Sequence, residues 1–300
     1  MNIYDIIIIG GGPSGLTAAV YARRADKTVL VMEKGTFGGQ ITSSPKVENI
    51  PGFISVSGNE FADKLMEQAM ELGAEVEYLE AFSIENGDVK KVVTDDGDYY
   101  AKAVIIATGT RHRLLGLPKE EDFIGNGISF CAVCDGAFYK DKTVAVIGGG
   151  NSALQEAILL SSLCEKVYLI QNLSFFTGEE KLISEIKTIS NIIPITDSTV
   201  TALKGDDALT GITIRTGDEA RDIAIDGMFT AIGLIPELEP FSKLIRVNNY
   251  GYADSNESCT TNVDGIFVAG DCRSKRIRQV ATAVSDGAIA ALAAIEYIKQ

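Results

Sequence analysis

A glycine-rich turn occurs twice in this chain, in the same setting each time. Displacing the 300-residue sequence by 138 positions carries Gly10-Gly11-Gly12 onto Gly148-Gly149-Gly150 without a gap. The same shift carries Ser14, Leu16, Ala19 and Val29 onto Ser152, Leu154, Ala157 and Val167. Each copy reads strand, turn, helix, strand. The first copy is Asp5–Ile9, Gly10–Gly15, about Leu16–Arg24 and Thr28–Met32. The second is Thr143–Ile147, Gly148–Ala153, Leu154–Leu163 and Val167–Ile170. Short apolar runs rich in β-branched residues are what buried parallel strands require. A parallel strand pair needs a helical crossover, so the pattern sets the fold class as α/β. It implies two dinucleotide-binding, Rossmann-like three-layer domains.

The segments between the copies say how the two domains are threaded. Gly38–Phe53 is loop-like, rich in Gly, Ser and Pro. A helix is expected over about Glu60–Leu72, where Phe61, Leu65, Ala69 and Leu72 keep helical spacing. Glu75–Glu85 and Val89–Thr94 read as strands turning at Asn86-Gly87. Val104–Ala107 is a further buried strand ending in Thr108-Gly109, and Gly227–Gly233 parallels it in the second copy. Gly265–Asp271 reads as one more strand with an acid at its end, followed by an alanine-rich helix at about Gln279–Ile298. The second domain is therefore expected as an insertion. Residues 1–114 and 245–300 form the first domain and 115–244 the second, with linkers near 113–118 and 236–245.

Composition narrows the function. With 46% hydrophobic and 23% charged residues the chain reads as a soluble globular protein. A net charge of −14 argues against nucleic acid as the main partner. The apolar run Ile6–Ile9 is short and lacks a basic flank, so no signal peptide is expected. No run of about 20 apolar residues is apparent, so no membrane span is expected. Five cysteines, few and odd in number, fit a reducing cytoplasm and one catalytic pair. A structural zinc site needs about four ligands. One CxxC, a single histidine (His112, in a basic stretch that reads as solvated) and scattered Cys164, Cys259 and Cys272 do not supply them, so no metal is expected.

The chemistry-bearing motifs follow. In Gly10-x-Gly12-x-x-Gly15 one glycine makes the tight turn, the next admits a pyrophosphate to the backbone, and the last lets helix and strand pack closely. Pro13 and Ser14 lie where the helix N–H groups bind phosphate. Glu33, 23 residues after Gly10, ends the next strand, where a carboxylate accepts ribose hydroxyls. The second fingerprint, Gly148-x-Gly150-x-x-Ala153, is an allowed variant, but Gln171 stands where Glu33 stands in the first. Gln171–Thr177 contains no Arg or Lys to read a 2′-phosphate. Between the fingerprints lies Cys131-Ala-Val-Cys134-Asp135. CxxC is a two-electron thiol/disulfide switch that needs a proton donor or acceptor, and Asp135 is placed to serve. Near the C-terminus, Gly270-Asp271 closes a strand and Arg278-Gln279-Val280 opens the last helix.

End to end, the chain resembles the low-molecular-weight thioredoxin reductase family. The resemblance rests on Gly10–Gly15, Gly38-Gly39-Gln40, Val47-Glu48-Asn49-Ile50-Pro51-Gly52, Ala107-Thr108-Gly109, Cys131–Gly136, Gly148–Ala153, Gly270-Asp271 and Arg278-Gln279. It implies a homodimeric FAD enzyme whose flavin reduces the CxxC disulfide, which in turn reduces thioredoxin. It also implies rotation of the inserted domain. It assigns FAD contacts to Glu33, Gln40, Asn49, Asp271 and Gln279. Cys134 is then the thiol expected to face the flavin and Cys131 the one to attack substrate. The departure is the donor site. Ordinary members carry a His-Arg-Arg…Arg segment for NADPH where this chain has Gln171–Thr177. That pattern is similar to the ferredoxin-dependent flavin thioredoxin reductases of anaerobes. Reduced ferredoxin is thus the expected donor, with NADPH or NADH, or a flavin redox sensor without turnover, as the alternatives. Arg273, Lys275, Arg276 and Arg278 form the expected basic docking patch for an acidic carrier.

Overall fold

The computed structural model describes residues 2–44 and 47–299. Among the described residues the α-helices are α1 (Pro13–Arg24), α2 (Gly58–Glu71), α3 (Ala132–Asp135), α4 (Asn151–Ser161), α5 (Glu180–Ile186) and α6 (Val280–Ile298). The chain divides into two compact units, Met1–Arg111 with Ile235–Gln300, and His112–Leu234. The second is an insertion in the first. Its end lies ten residues before the expected 244, because Leu238, Phe241 and Ile245 are buried in the first unit's core. The two connections, Thr110–His112 and Leu234–Pro236, pair as a two-stranded sheet.

In the first unit four parallel strands run in the order Glu75–Tyr78, Val29–Glu33, Ile3–Ile9, Gly97–Ile106. The register pairs Ile6 with both Val29 and Ala103. The free edge of Gly97–Ile106 is shared. Its first half pairs antiparallel with Lys90–Thr94, and its last residues pair parallel with Ile266–Val268. The alternation of a strand sends Ile6 and Ile8 to one core, with Leu16, Ala19 and Ala290, and Ile7 and Ile9 to another, with Leu30, Met32 and Val104. A strand buried on both faces has no place for polar residues, which is why the run Ile6–Ile9 reads continuously apolar.

The second unit repeats the order with Ile192–Ile195, Lys166–Ile170, Thr143–Ile147 and Gly227–Thr230, all parallel, and Ile128–Ser129 at the edge. An antiparallel layer of Ser198–Gly205, Leu209–Thr216 and Glu219–Ala224 accompanies it. The repeat legible at an offset of 138 is thus a repeat of sheet topology. By length and composition α6 could cross a membrane, with a mean hydropathy of 1.3. It behaves as a core helix: Ala290, Ala291 and Ala294 are fully buried, and its Gly287 faces the Ser14 backbone so closely that a Cβ would overlap the carbonyl.

Candidate active site

Both fingerprints form the turns that their glycines require. Gly10 and Gly148 have φ of +113° and +137°, a region side chains rarely enter. A Cβ on Gly15 would overlap the Gly10 carbonyl, so this residue holds α1 against the first strand. Gly12 differs. It is the N-cap of α1, and an added Cβ would find nothing nearer than the Gly38 carbonyl at 3.8 Å. No side chain caps α1, and Pro13 occupies its first turn. Such an uncapped N-terminus is a ready anion site.

The other expected cofactor residues gather on this unit. Glu33 accepts N–H bonds from Gly11 and Gly35, each 2.8 Å, so its carboxylate fixes the turn while retaining lone pairs for a ribose. Gly38 and Gly39, both at positive φ, lead into a short 3₁₀ turn that carries Gln40, whose Nε2 donates to the Thr110 carbonyl. Asn49 Nδ2 donates to Gln279 Oε1 across 3.0 Å, joining residues 230 apart in sequence. Gln279 is the N-cap of α6 and Val280 its first residue. Ala107 is buried and bonded to the Ile9 carbonyl, Thr108 Oγ1 is buried without a hydrogen bond, and an added Cβ at Gly109 would meet nothing within 4 Å. Gly270, at φ +79°, lies against Ser14. Asp271 Oδ1 is likewise buried, and pairs with Lys275 Nζ at 3.1 Å. Burial pushes the Asp271 carboxyl up, against the opposing pull of Lys275 and Arg278. An uncapped helix end beside an open glycine, with the Glu33 carboxylate ending one strand and that of Asp271 just past another, fits a bound dinucleotide such as FAD.

The expected basic patch is not a patch. Arg273 is 9% exposed and bonds Asp286, Ser255 and the Asn256 carbonyl. Lys275 bridges Asp271 and Asp286. Arg278 bonds the Asp271 and Arg273 carbonyls and stacks 4.0 Å from the Tyr252 ring. Only Arg276 of the four is exposed. These cations neutralise buried acids and tie down the loop before α6, a use that charge counting in the sequence does not separate from a docking surface.

On the second unit Cys131 and Cys134 are disulfide-bonded with Cα atoms 5.3 Å apart. Cys131 is the N-cap of α3, and its Sγ accepts the Cys134 N–H at 3.2 Å. The Ser129 hydroxyl donates to Asp135 Oδ2 at 2.6 Å and accepts the Cys131 N–H at 3.1 Å. Asp135 Oδ1 is buried and unpartnered. Burial raises the Asp135 carboxyl, and the Ser129 hydrogen bond opposes the rise. Sequence reasoning missed Ser129, because a serine two residues before a CxxC carries no signal until the strand end places it. It also missed Glu156 on α4. That carboxyl accepts the Ala132 N–H, and burial pushes it up to about 7. His112, expected to be solvated, stacks on Phe130 at 4.1 Å, and burial lowers it to about 4. An imidazole in a connection can be sheltered by an aromatic partner that no local pattern announces. No group of acids, cysteines or histidine able to hold a metal occurs among the described residues.

The second cradle shares the backbone of the first. Gly38 N–H bonds the Gly11 carbonyl at 2.8 Å, and Thr177 N–H bonds the Gly149 carbonyl at 2.7 Å. The side chains diverge. Gln171 is 6% exposed, its Oε1 accepts the Asn172 N–H and its Nε2 donates to the Phe175 carbonyl.

A disulfide beside a buried carboxyl, on a dinucleotide fold inserted in another dinucleotide fold, defines a disulfide oxidoreductase. Comparison with known proteins agrees. Residues 4–287 match the family model described as pyridine nucleotide-disulphide oxidoreductase. The chain is 39% identical to the thioredoxin reductase of Bacillus subtilis, over all of this chain and 96% of the relative. It is 40% identical to a 34.2 kDa protein in the rubredoxin operon of Clostridium pasteurianum, over 98% and 97% of the two chains. The thioredoxin reductase structure from Streptococcus pyogenes is similar with a TM-score of 0.93 at 38% identity, covering 99% and 98%. The chain belongs to the pyridine nucleotide-disulphide oxidoreductase family, in its low-molecular-weight thioredoxin reductase branch, whose members are FAD-binding flavoenzymes.

Proposed function

We propose that this enzyme reduces thioredoxin through the Cys131–Cys134 pair, with electrons from reduced ferredoxin. When bound, FAD supplies the two-electron carrier that feeds the disulfide. The chain's own residues do the rest. The first fingerprint and the α1 N-terminus would hold the pyrophosphate, Glu33 the ribose and Asp271 the ribitol hydroxyls. Gln40, Asn49 and Gln279, the last at the α6 N-terminus, would contact the flavin. After reduction the Cys131 thiolate attacks the thioredoxin disulfide, and Cys134 resolves the mixed disulfide. Asp135, raised by burial and with Oδ1 free, holds the proton that a departing thiolate needs.

The donor reading is carried by Gln171. Its amide is buried and bonded within its own loop, so it offers no carboxylate to a ribose. The tip beyond it exposes Leu173 and Phe175 in place of cations for a 2′-phosphate. Glu179, paired with Asn151 at the start of α4, adds negative charge where a pyrophosphate would bind. One observation favours a pyridine nucleotide instead: at Gly150 an added Cβ would meet only Thr177 Oγ1, at 3.9 Å, as open as Gly12. Mixing the anaerobic enzyme with NADPH, NADH and reduced ferredoxin in turn decides between them. Ferredoxin is expected to bleach the flavin visible band rapidly. Rapid bleaching by NADPH or NADH would refute the ferredoxin reading.

A homodimer and a reducing cytoplasm complete the proposal. Ile289 and Leu292, three apart on α6, are exposed on one helix face suited to a second copy. Cys164, Cys259 and Cys272 are buried free thiols.

A further inference from the structure

The disulfide helix is flanked by two carboxyls, and the reaction above uses only one. Glu156 belongs to α4, which packs against α3 and the turn after it: a Cβ on Gly136 would touch Leu160 and Leu163. Its carboxyl accepts the N–H of Ala132, between the two cysteines in sequence. The residue as a whole is partly buried, but Oε2 is sealed from solvent and has no hydrogen-bond partner. Burial of that kind favours the neutral acid, whereas the Ala132 N–H favours the anion. The two oppose each other, leaving the carboxyl near 7, poised to respond to a charge appearing beside it.

No neighbouring charge contributes to the displacement of Glu156. The titratable groups on the packed elements are Cys131, Cys134 and Asp135 on α3, Tyr139 in the following turn, and Cys164 just past α4. Lys166 and Tyr168 lie on Lys166–Ile170, and Glu180, Lys181 and Glu185 on α5; Thr143–Ile147 and Ile192–Ile195 carry none. None of them acts on Glu156, whose displacement comes from burial, with the Ala132 bond opposing it. The disulfide is neutral, so the event that changes the local charge is its reduction.

We propose that Glu156 is the charge-compensating residue of the redox pair, taking up a proton when the disulfide is reduced and releasing it when the disulfide re-forms. Two electrons break the S–S bond. One sulfur takes a proton and becomes a thiol. The other remains a thiolate, and the second proton from solvent resides on Glu156. Attack of that thiolate on thioredoxin removes the charge and frees the proton. Glu156 is a positioning residue, since it acts through the Ala132 backbone and its charge rather than by touching a reacting sulfur. The inference rests on the Cys131–Cys134 pair being the one that cycles.

The test is the midpoint potential of the pair in the full-length, FAD-loaded enzyme. It is read by alkylation after equilibration in dithiothreitol buffers, from about pH 6 to about pH 9. The wild-type profile is expected to steepen around neutrality, where the extra proton is taken up, and Glu156→Gln is expected to lose that steepening. Superimposable profiles would overturn the proposal. Should E156Q fail to accumulate as a folded flavoprotein, redox-difference infrared spectra of Asp135→Asn serve instead, since that variant leaves Glu156 as the carboxyl at α3. A protonated-carboxyl band gained on reduction supports the inference, and its absence overturns it. Full turnover by Cys134→Ser would sink the underlying assignment of the pair and this inference with it, an outcome distinct from the other two.

Discussion

Removing the Ser129 hydroxyl probes the active-site carboxyl without touching it. Ser129→Ala keeps the shape of the side chain and deletes two hydrogen bonds, the 2.6 Å donation to Asp135 and the 3.1 Å acceptance from Cys131 N–H. The first is a short bond to a carboxylate, a type worth about 1.5–3 kcal/mol. Its loss removes that preference for the ionised form and raises the carboxyl further. The sign is fixed. A donor to the charged form lowers a carboxyl pKa, so its removal adds to the rise that burial already imposes. The assay is the pH profile of thioredoxin reduction. The limb that Asp135→Asn abolishes is expected to sit at higher pH in S129A, whether the carboxyl acts as acid or base. A limb in the wild-type position, or displaced downward, would refute the reasoning. Stability follows the same sign. A carboxyl whose folded pKa is raised costs stability as pH climbs from its unfolded value to its folded one, and S129A extends that window upward.

Other outcomes follow from the same structure. Gly12→Ala has room in the protein itself, so it is expected to retain fold stability while losing FAD, measured as flavin absorbance per chain after desalting. Gly15→Ala, whose Cβ would overlap the Gly10 carbonyl, is expected to lose both FAD and thermal stability; equal stability of the two variants would contradict this. Arg273→Met leaves Asp286 with one cation instead of two in a buried cluster, at a cost of about 3–5 kcal/mol in denaturant unfolding. High salt is expected to leave the Arg273–Asp286 pair intact, because buried pairs are poorly screened; a salt-dependent midpoint shift abolished by R273M would show otherwise.

Much of the molecule is determined by sequence-local rules. A glycine at positive φ, a β-branched strand before it and a small residue where helix meets strand are local demands, so both fingerprints and their sheets could be read directly. The CxxC pair and Asp135 were equally legible, being contiguous. The tertiary structure decided what depends on residues far apart. It spends Arg273, Lys275 and Arg278 inside the fold, because Asp286 on α6 and Tyr252 from an earlier loop arrive to meet them. It also buries Gln171, desolvates Asp135 and brings Glu156 to the Ala132 N–H. The protonation of a buried group depends on desolvation and on partners distant in sequence, and neither is written in the residues beside it. The chain's order therefore sets where the disulfide stands, while the packing sets which protons accompany its electrons.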